Sequence, residues 1–266
     1  MKVAMTDMDI AWEDKEKNKS LCAAMVKEAA MYGADLILFP EMTLTGFSND
    51  VPKIADKEQE TLHFFTELAE EKRIAIGFGY VSMPDKKGRN HFALIDANGS
   101  LRMDYLKLHP FTHGGEADFY EGGNEFGCFT MLEQWNCAGF VCYDLRFPEI
   151  FEIASRKTEI IVVPANWPQA RKEHWTTLLR ARAIENQVYM LGVNCVGEKE
   201  GQYFSGDSCV VDPNGNVMES LSDQEGLIVL DIPNNTFQIR EGFPIKQDRR
   251  PELYERLSRE IMGNYG

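Results

Sequence analysis

Residues 138–149 read AGFVCYDLRFPE. An apolar run closes on Cys142, the polar residues Tyr143, Asp144 and Arg146 follow at once, and Phe147 and Pro148 open a helix. Proline suits a first helical turn because its φ is preset and its missing N–H has no partner there to lose. A short, continuously apolar run is the pattern of a strand covered on both faces, as in parallel sheets. A thiol at the carboxyl end of such a strand is held still by the core and still reached by a ligand. Cys142 is therefore a candidate nucleophile.

The same grammar recurs outward from this stretch. LILF at 36–39 ends at Pro40 and Glu41, and IIVVPANW at 160–167 passes through Pro164. Helical periodicity covers about 14–32, 57–72 and 171–187, and a helix after Pro148 reaches about Lys157. Further strands are read at 2–10, 75–83, 189–197 and 225–232. Asn98-Gly99 and Asn214-Gly215 sit between strand patterns and mark hairpins, and a third hairpin joins FTMLEQWN to CAGFVC. Two motifs repeat in order: LILFPEM resembles IIVVPANW, and LIDANGSL resembles VVDPNGNV. This implies two similar α/β halves. Two sheets packed face to face with helices outside, a four-layer α-β-β-α sandwich with pseudo-two-fold internal similarity, would bury both sets of apolar strands. One domain is expected over 1–240. A polar tail over 241–266, holding Pro244 and Pro251, is expected to pack on it or on a neighbouring subunit.

The composition sets bounds on function. Of 266 residues, 44% are hydrophobic and 26% charged, ordinary for a globular enzyme-sized core. The net charge of −14 argues against nucleic acid as a partner, and an anionic substrate would need a local cationic pocket. No apolar run approaches the ~20 residues that span a bilayer, and the first residues lack a signal-peptide core. A cytoplasmic protein is expected. The six cysteines have no CxxC spacing, and the five histidines no metal-ligand spacing with them, so no metal is expected. Neither GxGxxG nor GxxxxGK[ST] is present, which removes support for dinucleotide and phosphate-loop readings.

Glu41 and Lys107 are the other polar residues at the ends of apolar runs. Glu41 is either a solvated loop acid or a half-buried one, and burial would raise its pKa toward that of a base useful near neutrality. Lys107 is either a snorkelling surface lysine or a cation that stabilises charge near the thiol. Carboxyl ends of parallel strands converge on one sheet edge, where α/β proteins bind ligands, so the three residues can meet. A Cys–His pair using His109 or His113 is a rival, as is a thiol redox pair of Cys137 and Cys142. Asn166, Trp167 and Trp175 either line a pocket or fill core.

Together these stretches resemble the nitrilase superfamily of carbon–nitrogen hydrolases, from about residue 2 to about 255. The resemblance rests on LILFPEM, DYLKLHPF, GFVCYDLRFPE and VVPANWPQARKEHWTTLLRARAIENQVYMLGVN. It implies a Glu-Lys-Cys triad of Glu41, Lys107 and Cys142. A second glutamate falls at Glu116 in the loop GGEADFYEGG. The oxyanion would be held by Lys107 and the backbone N–H of Tyr143. Arg146, Asn166, Trp167 and Phe111 are expected around the substrate; from charge alone, Arg146, Arg171 and Lys172 are the candidates to hold its carboxylate. CYDLRFPE and the stretch after Pro164 look most like the omega-amidase branch, which hydrolyses the terminal amide of 2-oxoglutaramate or 2-oxosuccinamate. Aliphatic amidases, carbamoylases and deaminated-glutathione amidases share most of these residues, and a catalytically silent binding protein could use the same fold. The family needs no cofactor, and implies a homodimer or a higher even-numbered homo-oligomer.

Overall fold

A computed structural model describes residues 1–125, 127–131 and 135–262. It divides into two compact units, Met1–Pro233 and Asn234–Gly266.

In the first unit the strands are β1 Lys2–Asp7, β2 Leu36–Leu38, β3 Ala75–Ser82, β4 Arg89–Ile95, β5 Leu101–Leu106, β6 Cys128–Met131, β7 Trp135–Gly139, β8 Ile160–Pro164, β9 Tyr189–Val193, β10 Val196–Lys199, β11 Gln202–Val211, β12 Val217–Ser222 and β13 Gly226–Asp231. The helices are α1 Lys15–Met31, α2 Val51–Ile54, α3 Glu60–Lys72, α4 Glu116–Phe119, α5 Pro148–Ala154 and α6 Lys172–Asn186. One sheet runs β13-β1-β2-β3-β4-β5, and the other runs β6-β7-β8-β9-β11, continued by β10 and β12. Each sheet has three parallel strands, β1-β2-β3 or β7-β8-β9. Each adds an antiparallel hairpin, β4-β5 or β11-β12, and an antiparallel strand on the opposite side. The repeated sequence motifs are therefore repeated structure. Even the turns agree: Asp96 accepts from the N–H groups of Asn98 and Ser100, and Asp212 from those of Asn214 and Asn216.

Alternation explains why the central strands are wholly apolar. Successive side chains point to opposite faces. Val3, Met5, Leu36 and Leu38 belong to the core shared with the second sheet, whereas Ala4, Ile37 and Phe39 pack with Val26 of α1 and Phe65 of α3. Close approach of the sheets needs Gly139, where a Cβ would stand 2.5 Å from the Phe92 ring and 2.6 Å from Met103.

Several expected boundaries move. The 2–10 strand ends at Asp7, and the 160–167 strand ends at Pro164, which frees Ala165–Trp167 for the loop beyond. The 189–197 strand breaks at Asn194. There a side chain takes over from the ladder: Asn194 Nδ2 donates to the carbonyls of Trp167 and Gly206, and its Oδ1 accepts from Trp167 N–H. β6 and β7 pair antiparallel as expected, but Trp135 and Asn136, read as the end of the first strand, belong to β7; residues 132–134 lie outside the described residues.

The second unit contains α7 Thr236–Gly242 and α8 Pro251–Met262. Its helices are absent from the sequence reading, which described the tail only as polar. Pro251 at a helix start and Tyr254, Leu257 and Ile261 at helical spacing are the signals that reading passed over. No helix among the described residues is long and apolar enough to cross a membrane.

Candidate active site

The carboxyl ends of β2, β5, β7 and β8 come together in the first unit. Lys107, one residue past β5, is buried with its Nζ 2.9 Å from Glu41 Oε1 and 2.8 Å from Glu116 Oε2. Neither the loop-acid reading of Glu41 nor the surface reading of Lys107 survives, because both side chains are at most 1% exposed. Glu116 opens α4, and its Oε2 also accepts from the Phe111 N–H at 2.5 Å, so the carboxylate pins the 107–116 loop.

Two asparagines complete the cluster. Asn90 Nδ2 donates to Glu41 Oε1 at 2.8 Å and to Glu116 Oε1 at 3.1 Å. Asn166 N–H donates to Glu41 Oε2 at 2.9 Å, and its Nδ2 to the Glu41 carbonyl at 2.7 Å. Asn166 and Glu41 lie past corresponding strands of the two halves, so the repeated motifs touch each other here. Asn90 was not singled out from the sequence. Its signal was a polar residue sharing a strand face with Phe92 and Leu94, both in the core between the sheets.

Cys142 begins a single tight turn, Cys142–Arg146, that precedes α5. The helix expected to run to about Lys157 is thus shorter, ending at Ala154. Cys142 has φ +47°, in the left-handed region that is unfavourable for a residue with a Cβ. Such strain at the end of a strand accompanies residues whose side chains must be presented rather than packed. The thiol faces a cavity of about 300 Å³ lined also by Lys107, Phe111, Tyr143, Arg146, Asn166, Trp167 and Arg171. Trp12, Phe47 and Phe204 add apolar wall that the sequence reading did not assign.

The electrostatics differ from expectation at one residue. Burial does push the Glu41 carboxyl up, but the Lys107 ammonium and the hydrogen bonds from Lys107, Asn90 and Asn166 outweigh it, and Glu41 sits below its ordinary range. Burial would lower Lys107, yet Glu116, Glu41 and Cys142 hold its ammonium well above the ordinary value. Burial and the Glu41 and Glu116 carboxylates push the Cys142 thiol well up, against the pull of Lys107. The resting cluster is an ionised Glu41, a charged Lys107 and a neutral thiol.

The other expected residues fall into four groups. Arg146 and Arg171 line the cavity, with the Arg146 guanidinium 4.7 Å from the Trp167 ring and Arg171 5.4 Å from Phe111. Neither has a carboxylate partner among the described residues. Arg146 is held below its ordinary value by burial and by Arg171 beside it. Lys172 belongs elsewhere: its Nζ pairs with Asp207 at 2.6 Å and donates to Ser222. Asn166 lines the cavity, but its amide already donates to Glu41 and its Oδ1 accepts from the Cys195 thiol. Trp175 is core, its ring tilted against that of Trp167 at 5.5 Å and its Nε1 donating to the Asp207 carbonyl.

Of the two histidines that could rival Glu41, His113 lines the cavity with Cys142, its ring 5.9 Å from that of Phe111, and His109 is engaged elsewhere. His109 Nδ1 is 2.7 Å from Asp144, and its ring stacks on Phe147. Cys137 is buried within β7, in the core between the sheets, whereas Cys142 opens on the cavity. Among the described residues, no group of three or more His, Cys, Asp or Glu side chains is arranged to hold a metal ion.

The sequence profile of carbon–nitrogen hydrolases matches residues 2–240. The chain belongs to the carbon–nitrogen hydrolase family. It is 32% identical to the 2-oxoglutaramate amidase of Paenarthrobacter nicotinovorans, over 87% of this chain and 84% of that protein. It is 31% identical to the omega-amidase YafV of Yersinia enterocolitica, over 93% of this chain and 96% of the relative. Among solved structures it resembles XC1258 from Xanthomonas campestris, described as a CN-hydrolase superfamily protein with an arsenic adduct in the active site. The TM-score is 0.89 at 29% identity, covering 94% of this chain and 97% of the other. The likeness to this solved structure extends to the two packed sheets and their flanking helices.

Proposed function

We propose that this carbon–nitrogen hydrolase cleaves the terminal amide of a small carboxylate-bearing substrate, of the 2-oxoglutaramate or 2-oxosuccinamate kind, through a thioester on Cys142. The observation that carries the chemistry is the buried Lys107 ammonium between Glu41 and Glu116, beside a thiol that opens on the cavity. The substrate class is supported by Arg146 and Arg171. Two guanidiniums without a carboxylate partner among the described residues, on a protein of net charge −14, are suited to a ligand carboxylate, which they can grip bidentately. The relatives named as 2-oxoglutaramate amidase and omega-amidase point the same way.

In this reading Glu41 takes the Cys142 proton as the sulfur attacks the amide carbon. Because the thiol rests neutral and Glu41 ionised, the transfer is uphill at rest and proceeds with the attack. The developing oxyanion is held by Lys107 and the Tyr143 N–H, where one donor is worth about 2.7–4 kcal/mol. Glu41 returns the proton to the departing nitrogen, and ammonia leaves. Water then gives a proton to Glu41 and attacks the thioester, with Glu116 orienting it. The acid departs, and the thiolate recovers its proton from Glu41.

The test is ammonia release from 2-oxoglutaramate, beside glutamine, short aliphatic amides, N-carbamoyl amino acids, deaminated glutathione and nitriles. Equal turnover by Cys142→Ala would sink the mechanism. A preference for carbamoyl compounds would sink only the substrate class.

A further inference from the structure

Asp144 has no part in the proton transfers above, yet its fully buried carboxylate receives four donors. Its Oδ1 accepts from the His109 N–H at 3.0 Å and faces His109 Nδ1 at 2.7 Å. Its Oδ2 accepts from Tyr105 Oη at 2.7 Å and from the Val141 N–H at 3.0 Å. A carboxylate oxygen that also receives a backbone N–H is an acceptor, and the contact is assigned with the ring hydrogen on Nδ1. Burial and the Asp144 carboxylate push the Tyr105 phenol far up, which keeps it a donor.

These donors come from two separate pieces of chain. Tyr105 and His109 stand two residues before and two after Lys107, and the Tyr105 oxygen also accepts from the Leu108 N–H. Val141 immediately precedes Cys142. Asp144 closes the turn around the thiol with its own backbone as well: its N–H donates to the Val141 carbonyl, and its carbonyl accepts from Phe147. The ring of His109 stacks on Phe147 at 3.8 Å, so that residue is fastened on both sides. Between the bonded Val141 and Asp144 sits Cys142, in its left-handed conformation.

We propose that Asp144 is a positioning residue that locks the strained Cys142 turn and the Lys107 segment into one register, so that nucleophile and ammonium keep a fixed relation. The inference about turnover rests on the amide-hydrolase reading. The inference about register does not, because it concerns only Cys142 and its surroundings.

The experiment compares Asp144→Asn, Tyr105→Phe, His109→Ala and His109→Asn with the parent enzyme. It has two readouts: kcat and KM for whichever amide the parent hydrolyses, and the rate at which iodoacetamide alkylates Cys142, followed on its peptide. Misplacing a reacting group by about 1 Å costs roughly 100-fold, so Asp144→Asn should lose about that much in kcat with KM little changed. Tyr105→Phe and His109→Ala should each lose about tenfold, the worth of one hydrogen bond. His109→Asn should recover most of the loss, because its Nδ2 can stand where the imidazole Nδ1 stands; a merely structural role of the ring would not be rescued. Alkylation should slow in the same order. Thermal unfolding separates these effects from loss of fold, and if Asp144→Asn does not fold, the other three variants decide. Alkylation at the parent rate in every folded variant would overturn the proposal, whatever happens to turnover. So would failure of His109→Asn to exceed His109→Ala. A parent enzyme that hydrolyses no amide would defeat the amide-hydrolase reading alone and leave the alkylation series to judge Asp144.

Discussion

Replacing Asn90 with alanine should move the acid limb of the pH–rate profile upward. Asn90 Nδ2 bonds Glu41 at 2.8 Å and Glu116 at 3.1 Å, and the two carboxylates share a single ammonium, Lys107. The Asn90 Oδ1 has no hydrogen-bond partner among the described residues, so the side chain's hydrogen bonds are those its Nδ2 donates. Hydrogen bonds to a charged group are worth about 1.5–3 kcal/mol. At about 1.36 kcal/mol per pH unit, loss of the bond to Glu41 moves its titration by roughly one to two pH units. Water entering the alanine cavity restores part of this, which favours the lower end. The sign follows from the direction in the parent: Glu41 lies below its ordinary range, so the base is active above that point and is lost as pH falls through it. Removing a donor moves that point up. The limb belongs to the coupled Glu41–Lys107–Glu116 cluster rather than to one residue. The assay is kcat/KM for the best amide from about pH 3 to 9, by ammonia release, so that the parent's acid limb lies inside the range. Asn90→Ala should be about tenfold slower than the parent on the acid side and closer to it on the plateau. Asn90→Asp, which sets a third carboxylate against one ammonium, should move the limb further. A uniform loss across the pH range, with the limb in place, would refute the electrostatic role and reduce Asn90 to packing.

Three further outcomes follow from other parts of the molecule. Arg146→Leu and Arg171→Leu should raise KM for a carboxylate-bearing amide by about 10–100-fold, with a neutral amide much less affected, whereas Lys172→Ala should leave KM unchanged because that lysine pairs with Asp207; steady-state kinetics on both substrates check this. Asp7 is fully buried, and burial foremost, with Asp207 adding to it, pushes its carboxyl up to about 7. The folded state therefore binds this proton more tightly than the unfolded chain, and stability falls as pH rises from about 4 to 7, by at most about 4 kcal/mol. Asp7→Asn should raise the unfolding temperature at pH 8 and change it little near pH 4, measured by thermal melts. Finally, Gly79→Ala would set a Cβ 2.3 Å from the Met42 nitrogen and 2.9 Å from the Glu41 backbone. It should cost roughly 1–3 kcal/mol in chemical denaturation and lower kcat by shifting Glu41.

Much of the fold was legible because burial writes itself into local composition. Strands covered on both faces must be apolar throughout, so LILF and IIVV announce parallel strands, and Asn-Gly between strand patterns announces hairpins. The repeated motifs carried the two-fold plan for the same reason: each half has to solve the same burial problem. The positions of Glu41, Lys107 and Cys142 at strand ends could be read along the chain, since parallel strands deliver their carboxyl ends to one edge. That much the chain determined alone. Ionisation did not follow from position. Burial by itself argues for a raised Glu41, and only three dimensions show Lys107, Asn90 and Asn166 arriving from 66, 49 and 125 residues away to reverse it. Arg171 and Lys172 are neighbours in sequence and equal in charge, yet one lines the cavity and the other pairs with Asp207. Asp144 stands in the very stretch from which the chain was read, and nothing local distinguishes it from a surface acid. Its four donors come from two segments about 35 residues apart. Local pattern reports which groups leave water. Which charges and donors they then meet depends on contacts between distant segments, and those the folded chain alone decides.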